Sequence, residues 1–96
     1  MDKTIDYISS ILGKRLTAYC FRLDSTAKLK TFDDRLRVQQ LADLIDILTD
    51  TDSPEIIRAL FIGTMNDGRA PARAFHDGDY ENIRLHLISY LNDGYQ

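Results

Sequence analysis

Apolar residues recur along this chain at helical spacing. Ile5, Ile8 and Leu12 stand three and four residues apart, and Gly13 follows where a helix could end. Leu16 to Leu23 is a short apolar run interrupted by Arg22, and Asp24-Ser25-Thr26 then offers three residues able to cap backbone N–H groups. A short segment from Ala27 to Phe32 follows, with Leu29 and Phe32 on one side and Lys28 and Lys30 free to face solvent. The strongest pattern runs from Asp34 to about Thr49. There Leu41, Leu44, Ile45 and Leu48 form the i, i+3, i+4, i+7 stripe of a buried helical face, and Asp43, Asp46 and Asp50 form a second stripe elsewhere on the helix.

Punctuation between these segments is equally helical. Ser53-Pro54-Glu55 supplies an N-cap, a proline at the first helical position and an acid near the positive end of the helix dipole. Ile57, Leu60 and Phe61 carry that helix inward, and Gly63 stops it. Asn66-Asp67-Gly68 could turn a hairpin, but no alternating strands flank it, so Thr64 to Ala70 is expected to be a loop between helices. Pro71 starts a short helix with Ala74 and Phe75 inward. Gly78 ends it, Asp79 caps the last helix, and Tyr80, Ile83, Leu87 and Leu91 share one face of that helix. These segments predict an all-α fold: one domain over residues 1–96, a compact bundle of about six to seven short helices. The core should include Leu41, Leu44, Ile45, Leu48, Leu60, Phe61, Phe75, Ile83 and Leu87.

Composition narrows the class. With 44% hydrophobic and 28% charged residues over 96 positions, the chain can bury a core and is not of disordered type. The single cysteine, Cys20, rules out an intrachain disulfide. No apolar stretch approaches the roughly 20 residues that span a bilayer. The N-terminus is polar and acidic, unlike a signal peptide, so a cytoplasmic protein with no membrane association is expected.

Charge is unevenly placed. Residues 13–38 carry seven bases and three acids, whereas residues 39–96 carry four bases and ten acids, within a total of −3. Two halves with different partners would produce this, and so would an ordinary solvated surface.

The chemistry of an enzyme is hard to find. His76 and His86 lie ten residues apart with Cys20 remote, which is not zinc-ligand spacing, and each histidine reads as a surface or boundary residue. Cys20 sits in an apolar run as a small buried side chain, and Gly13-Lys14 lacks the upstream glycine of a phosphate loop. The Asp43, Asp46 and Asp50 stripe could meet a cation or a basic partner, but such a stripe is more often a wet helix face. No catalytic residue, metal or cofactor is therefore expected, and the chain is read as a non-enzyme.

Residues 14–37 are more specific, because helix, short polar turn and helix is the spacing of a helix-turn-helix. Ser25, Thr26, Lys28 and Lys30 would face the DNA groove, and Lys14, Arg15, Arg35 or Arg37 would meet phosphates. The alternative is an ordinary helical corner. In the other half, Asn66, Arg69, Tyr80, Tyr90 and Tyr95 have the composition of a partner surface, since arginine and tyrosine carry much of the energy at interfaces. The competing reading there is a solvated arginine and tyrosines that cover the core.

Several stretches resemble one family. Leu12-Gly13 followed by Leu16-Thr17-Ala18-Tyr19 resembles the start of the helix-turn-helix in antitoxins of the Xre/MbcA/ParS type. Pro54 to Gly63 is similar to that family as well, as is Gly68-Arg69-Ala70-Pro71 followed by Phe75, Gly78 and a final helix. The resemblance implies an antitoxin that neutralises a toxin, often of the RES-domain type, through residues 53–91, and that binds operator DNA to repress its own operon. A homodimer is compatible with it. Three departures stand out. Arg22 occupies a position usually held by glycine, Phe32 stands for a tryptophan with Asp33-Asp34-Arg35 running into the next helix, and Thr64-Met65-Asn66-Asp67 shortens a loop. A stand-alone helix-turn-helix regulator and an adaptor or scaffold domain remain the alternatives.

Overall fold

A computed structural model describes residues 3–93. Among them lie six α-helices, α1 (Lys3–Leu12), α2 (Lys14–Cys20), α3 (Arg35–Thr49), α4 (Pro54–Ile62), α5 (Pro71–His76) and α6 (Tyr80–Asp93), and one 3-10 helix (Thr26–Thr31). No strand occurs among the described residues. The fold is an all-α bundle, as the spacing of apolar residues predicts.

The helix ends follow their chemistry. Asp34 accepts from the Arg37 backbone N–H at the start of α3, and Ser53 accepts from that of Ile56 at the start of α4, ahead of Pro54. Gly13 has φ 87°, and this left-handed turn lets α1 stop and α2 begin one residue later. Thr17, fully buried, is satisfied locally: its hydroxyl donates to the Gly13 carbonyl at 2.8 Å.

Two helix ends are built alike. At α2, the Arg22 N–H donates to Tyr19 O and the Leu23 N–H to Ala18 O, with Arg22 at φ 62°. At α5, the Gly78 N–H donates to Phe75 O and the Asp79 N–H to Ala74 O, with Gly78 at φ 90°. Both are Schellman caps. The second has the usual glycine in its left-handed slot, and the first has an arginine. The Arg22 guanidinium Nε donates to the carbonyl of His76, so the odd residue also ties the ends of α2 and α5 together.

The core is one cluster shared by all six α-helices and the 3-10 helix. Ile5, Ile8, Leu12, Leu41, Leu44, Ile45, Leu48, Ile57, Phe61, Phe75, Ile83 and Leu87 are its largest fully buried side chains. Of the core expected from sequence, only Leu60 departs: it is half-buried and packs on the cluster from outside. Phe21 stacks on Phe32 at 4.4 Å and meets the Phe75 ring edge-on at 6.1 Å. Arg58 binds α4 to the end of α1, donating from Nε and Nη2 to the Ile11 carbonyl at 3.2 and 3.0 Å.

One element differs from expectation. Residues 26–31 form a 3-10 helix, not a second α-helix. The Lys28 N–H donates to Ser25 O and the Phe32 N–H to Leu29 O, the i to i+3 pattern. The tighter helix places Leu29 inward within its six residues.

Candidate partner-binding site

The loop between α4 and α5 is braced far beyond what a surface connection needs. The Met65 N–H donates to Arg69 O at 2.7 Å and the Gly68 N–H to Met65 O at 3.0 Å, with Gly68 at φ 88° closing the turn. Asp67 Oδ1 accepts from the Arg69 backbone N–H, and Asp67 Oδ2 accepts from Arg69 Nε and Nη2 and from Asn82 Nδ2 of α6. Arg69 Nη2 also reaches Asp79 at 2.6 Å, and its Nη1 stands 3.5 Å from Asp77. One guanidinium thus holds three carboxylates, from the loop, the end of α5 and the residue before α6. Hydrogen bonds to Asp67 and then Asp79 push the Arg69 pKa further up, and the bond from Arg69 holds Asp67 below its ordinary value.

This brace shapes a cleft of about 290 Å³ between the loop and α6, lined by Met65, Asn66, Asp67, Asn82, Leu85, His86 and Ser89. Leu85 is 56% exposed there, whereas Ile83 and Leu87 on the same helix are fully buried. The cleft thus combines an exposed leucine with amide, imidazole, hydroxyl and carboxylate groups, the mix of apolar and polar groups that small interfaces use.

The residues expected at a partner surface separate here. Asn66 lines the cleft. Arg69 is the clasp that shapes it, with its guanidinium committed to aspartates. Tyr80 and Tyr90 are half-buried and pack against the core, so they do not form the cleft. Tyr95 lies outside the described residues. Leu85, Asn82 and Ser89 also line the cleft and are not singled out by the sequence. The available signal was Leu85 itself, an apolar residue out of step with the Ile83–Leu87 face.

The residues expected at DNA also separate. Lys14, Thr26 and Lys30 line one small cleft, and Arg15, Ser25 and Thr26 line its neighbour, so five of the eight meet around Thr26. Asp6 and Asp24 line the same two clefts. Lys28 is ion-paired with Asp24 at 2.7 Å. Arg37 is structural: its Nη2 donates to the Cys20 carbonyl at 2.7 Å, and its guanidinium lies 4.4 Å over the Phe75 ring. Arg35 is exposed at the start of α3, away from both clefts.

Other candidate chemistry resolves into structure. The His76 ring stacks on Tyr19 at 4.9 Å with Nδ1 3.4 Å from Asp77. Asp43 accepts from Gln39 at 2.9 Å, and Asp46 accepts from the Tyr7 hydroxyl at 2.7 Å. Burial, and after it the bond to Asp46, push the Tyr7 hydroxyl up to about 12. No group of histidine, cysteine and carboxylate residues fit to hold a metal occurs among the described residues. Among the described residues no helix is long and apolar enough to cross a membrane.

Compared with known proteins, the chain matches no family model, no curated protein and no solved structure.

Proposed function

We propose that this chain is an antitoxin-like binding protein that captures and neutralises a partner protein on the cleft between α6 and the 64–70 loop. The observation that carries this reading is Leu85, 56% exposed in a cleft whose other lining residues are mostly polar and whose loop the Arg69 clasp braces. A loop fixed in advance loses less entropy on binding, so its cross-bracing serves recognition. The motif from Pro54 to Gly63, which precedes this loop, and that from Gly68 to Pro71, which ends it, resemble Xre/MbcA/ParS-type antitoxins and agree with the assignment. A RES-domain toxin is the partner that the resemblance suggests.

The test is co-expression with the protein encoded next door. Leu85→Asp, on an exposed position, should leave the melting curve unchanged while abolishing growth rescue and co-purification. Rescue by a folded Leu85→Asp variant overturns the assignment. Arg69→Glu is a poorer probe, because it breaks the brace as well as the surface.

A second reading has its own observation. Lys14, Arg15 and Lys30 converge around Ser25 and Thr26, which suits contact with operator phosphates. A six-residue 3-10 helix would take the place of the recognition helix, so backbone contact outweighs base reading. A mobility shift on the upstream DNA, strongest at low salt and lost in Lys14→Glu/Lys30→Glu, supports this role. No shift at low salt, with or without the partner, removes it.

A further inference from the structure

A second surface, remote in sequence from the α6 cleft, joins apolar and cationic groups. Leu12, Gly13 and Leu16 at the α1–α2 junction face Ile62 at the end of α4 across a groove of about 430 Å³. Ile62 is 61% exposed, a large apolar side chain left without cover. Lys14, Arg15 and Arg58 complete the lining, and no carboxylate lies among them. The two bonds from Arg58 to the Ile11 carbonyl fix that guanidinium beside the groove.

The opposite surface is also on this chain. Asp43 and Asp46 are exposed on α3, and Asp50 is exposed at its C-terminal end. Leu36, Asp43 and Asp50 are spaced seven apart and so share a helical face, and Leu36 is 69% exposed. One face offers cations around an exposed isoleucine, and the other offers acids in line with an exposed leucine.

We propose that the groove receives the acidic face of α3 from a second copy of this chain, so that copies associate head to tail. Leu36 of one copy covers Ile62 of the next, while the aspartates meet Lys14, Arg15 and Arg58. Exposed ion pairs alone contribute little, so the apolar contact supplies the adhesion and the charges set register and orientation. Because the two faces differ, the contact is heterologous: each copy keeps one face open after pairing, unlike a two-fold dimer.

Sedimentation velocity of the full chain, without nucleic acid, tests this. The wild type should sediment faster as concentration rises, and that dependence should weaken without vanishing when salt is raised from about 0.05 to about 0.5 M, because salt screens the charges and leaves the apolar contact. Lys14→Glu/Arg15→Glu and Asp43→Lys/Asp50→Lys should each melt like the wild type, since all four positions are exposed, and each should stay monomeric. Mixed in equal amounts they should associate again, because the intact groove of one variant meets the intact acidic face of the other, and the two reversed faces are also of opposite charge. A wild type that stays monomeric at low salt overturns the proposal and leaves the groove to a foreign acidic segment. Self-association that persists in both variants, or failure of the mixture to pair, overturns it as well.

Discussion

Arg22 carries the clearest mark of local conflict in the molecule. A side chain in left-handed backbone costs about 1–2 kcal/mol, and here the Schellman cap of α2 and the bond to the His76 carbonyl hold it there. Two substitutions separate these effects. Arg22→Gly loses the bond but relieves the strain, whereas Arg22→Ala loses the bond and keeps the strain. Chemical denaturation should therefore find Arg22→Ala less stable than Arg22→Gly by about 1 kcal/mol; the reverse order would show that the backbone there is unstrained. Leu44 is fully buried, and Leu44→Ala should cost about 2–5 kcal/mol. Cys20 is fully buried too, and burial pushes its thiol up to about 12 from the ordinary 9.0. Its folded value is the higher one, so the neutral thiol favours the fold below pH 9.0, and that contribution fades as pH rises toward about 12. Alkylation with iodoacetamide near neutral pH should be slow in the native protein and fast in denaturant.

Among the elements, the 64–70 loop depends most on charge. Asp67 has its folded pKa below the ordinary 3.8, so its contribution to the brace is complete above 3.8 and is lost as pH falls through the lowered folded value. Asp67→Asn should accordingly melt below the wild type at neutral pH, and the gap should close at the acid end; a gap independent of pH would assign the effect to packing. Helices with conventional ends are legible from sequence: Ser53-Pro54 opens α4, Gly63 ends it, and the period of Leu41, Leu44, Ile45 and Leu48 marks the buried face of α3. The 3-10 helix is not, because Leu29 turns inward under either helix period over so few residues. Nor is the clasp legible, since Arg69 meets Asp77 and Asp79 only after α5 folds back, and nothing in the loop's own spacing encodes that return. Of the residues expected at a partner surface, Asn66 lines the α6 cleft, while Tyr80 and Tyr90 cover the core. Leu85 is legible as an outward apolar residue, because it falls out of step with the buried Ile83–Leu87 face.

At the scale of the whole molecule, the basic and acidic segments become surfaces of different use. The cations of residues 13–38 divide between structural duty, as with Arg37 and Arg22, and exposure around Thr26. The acids of the C-terminal half divide between the Arg69 clasp and open helix faces. The central claim is that the α6 cleft binds a protein partner, and Leu85 is its anchor. The affinity of the purified partner for the wild type, for Leu85→Asp and for Ile56→Asp tests that claim most directly, because Ile56 is also exposed, at 45%, but lies on α4 outside the cleft. Titration calorimetry should show Leu85→Asp weakened by about 2 kcal/mol or more, roughly thirtyfold, as for an interface anchor, with Ile56→Asp unchanged. Equal affinity for wild type and Leu85→Asp would contradict the account.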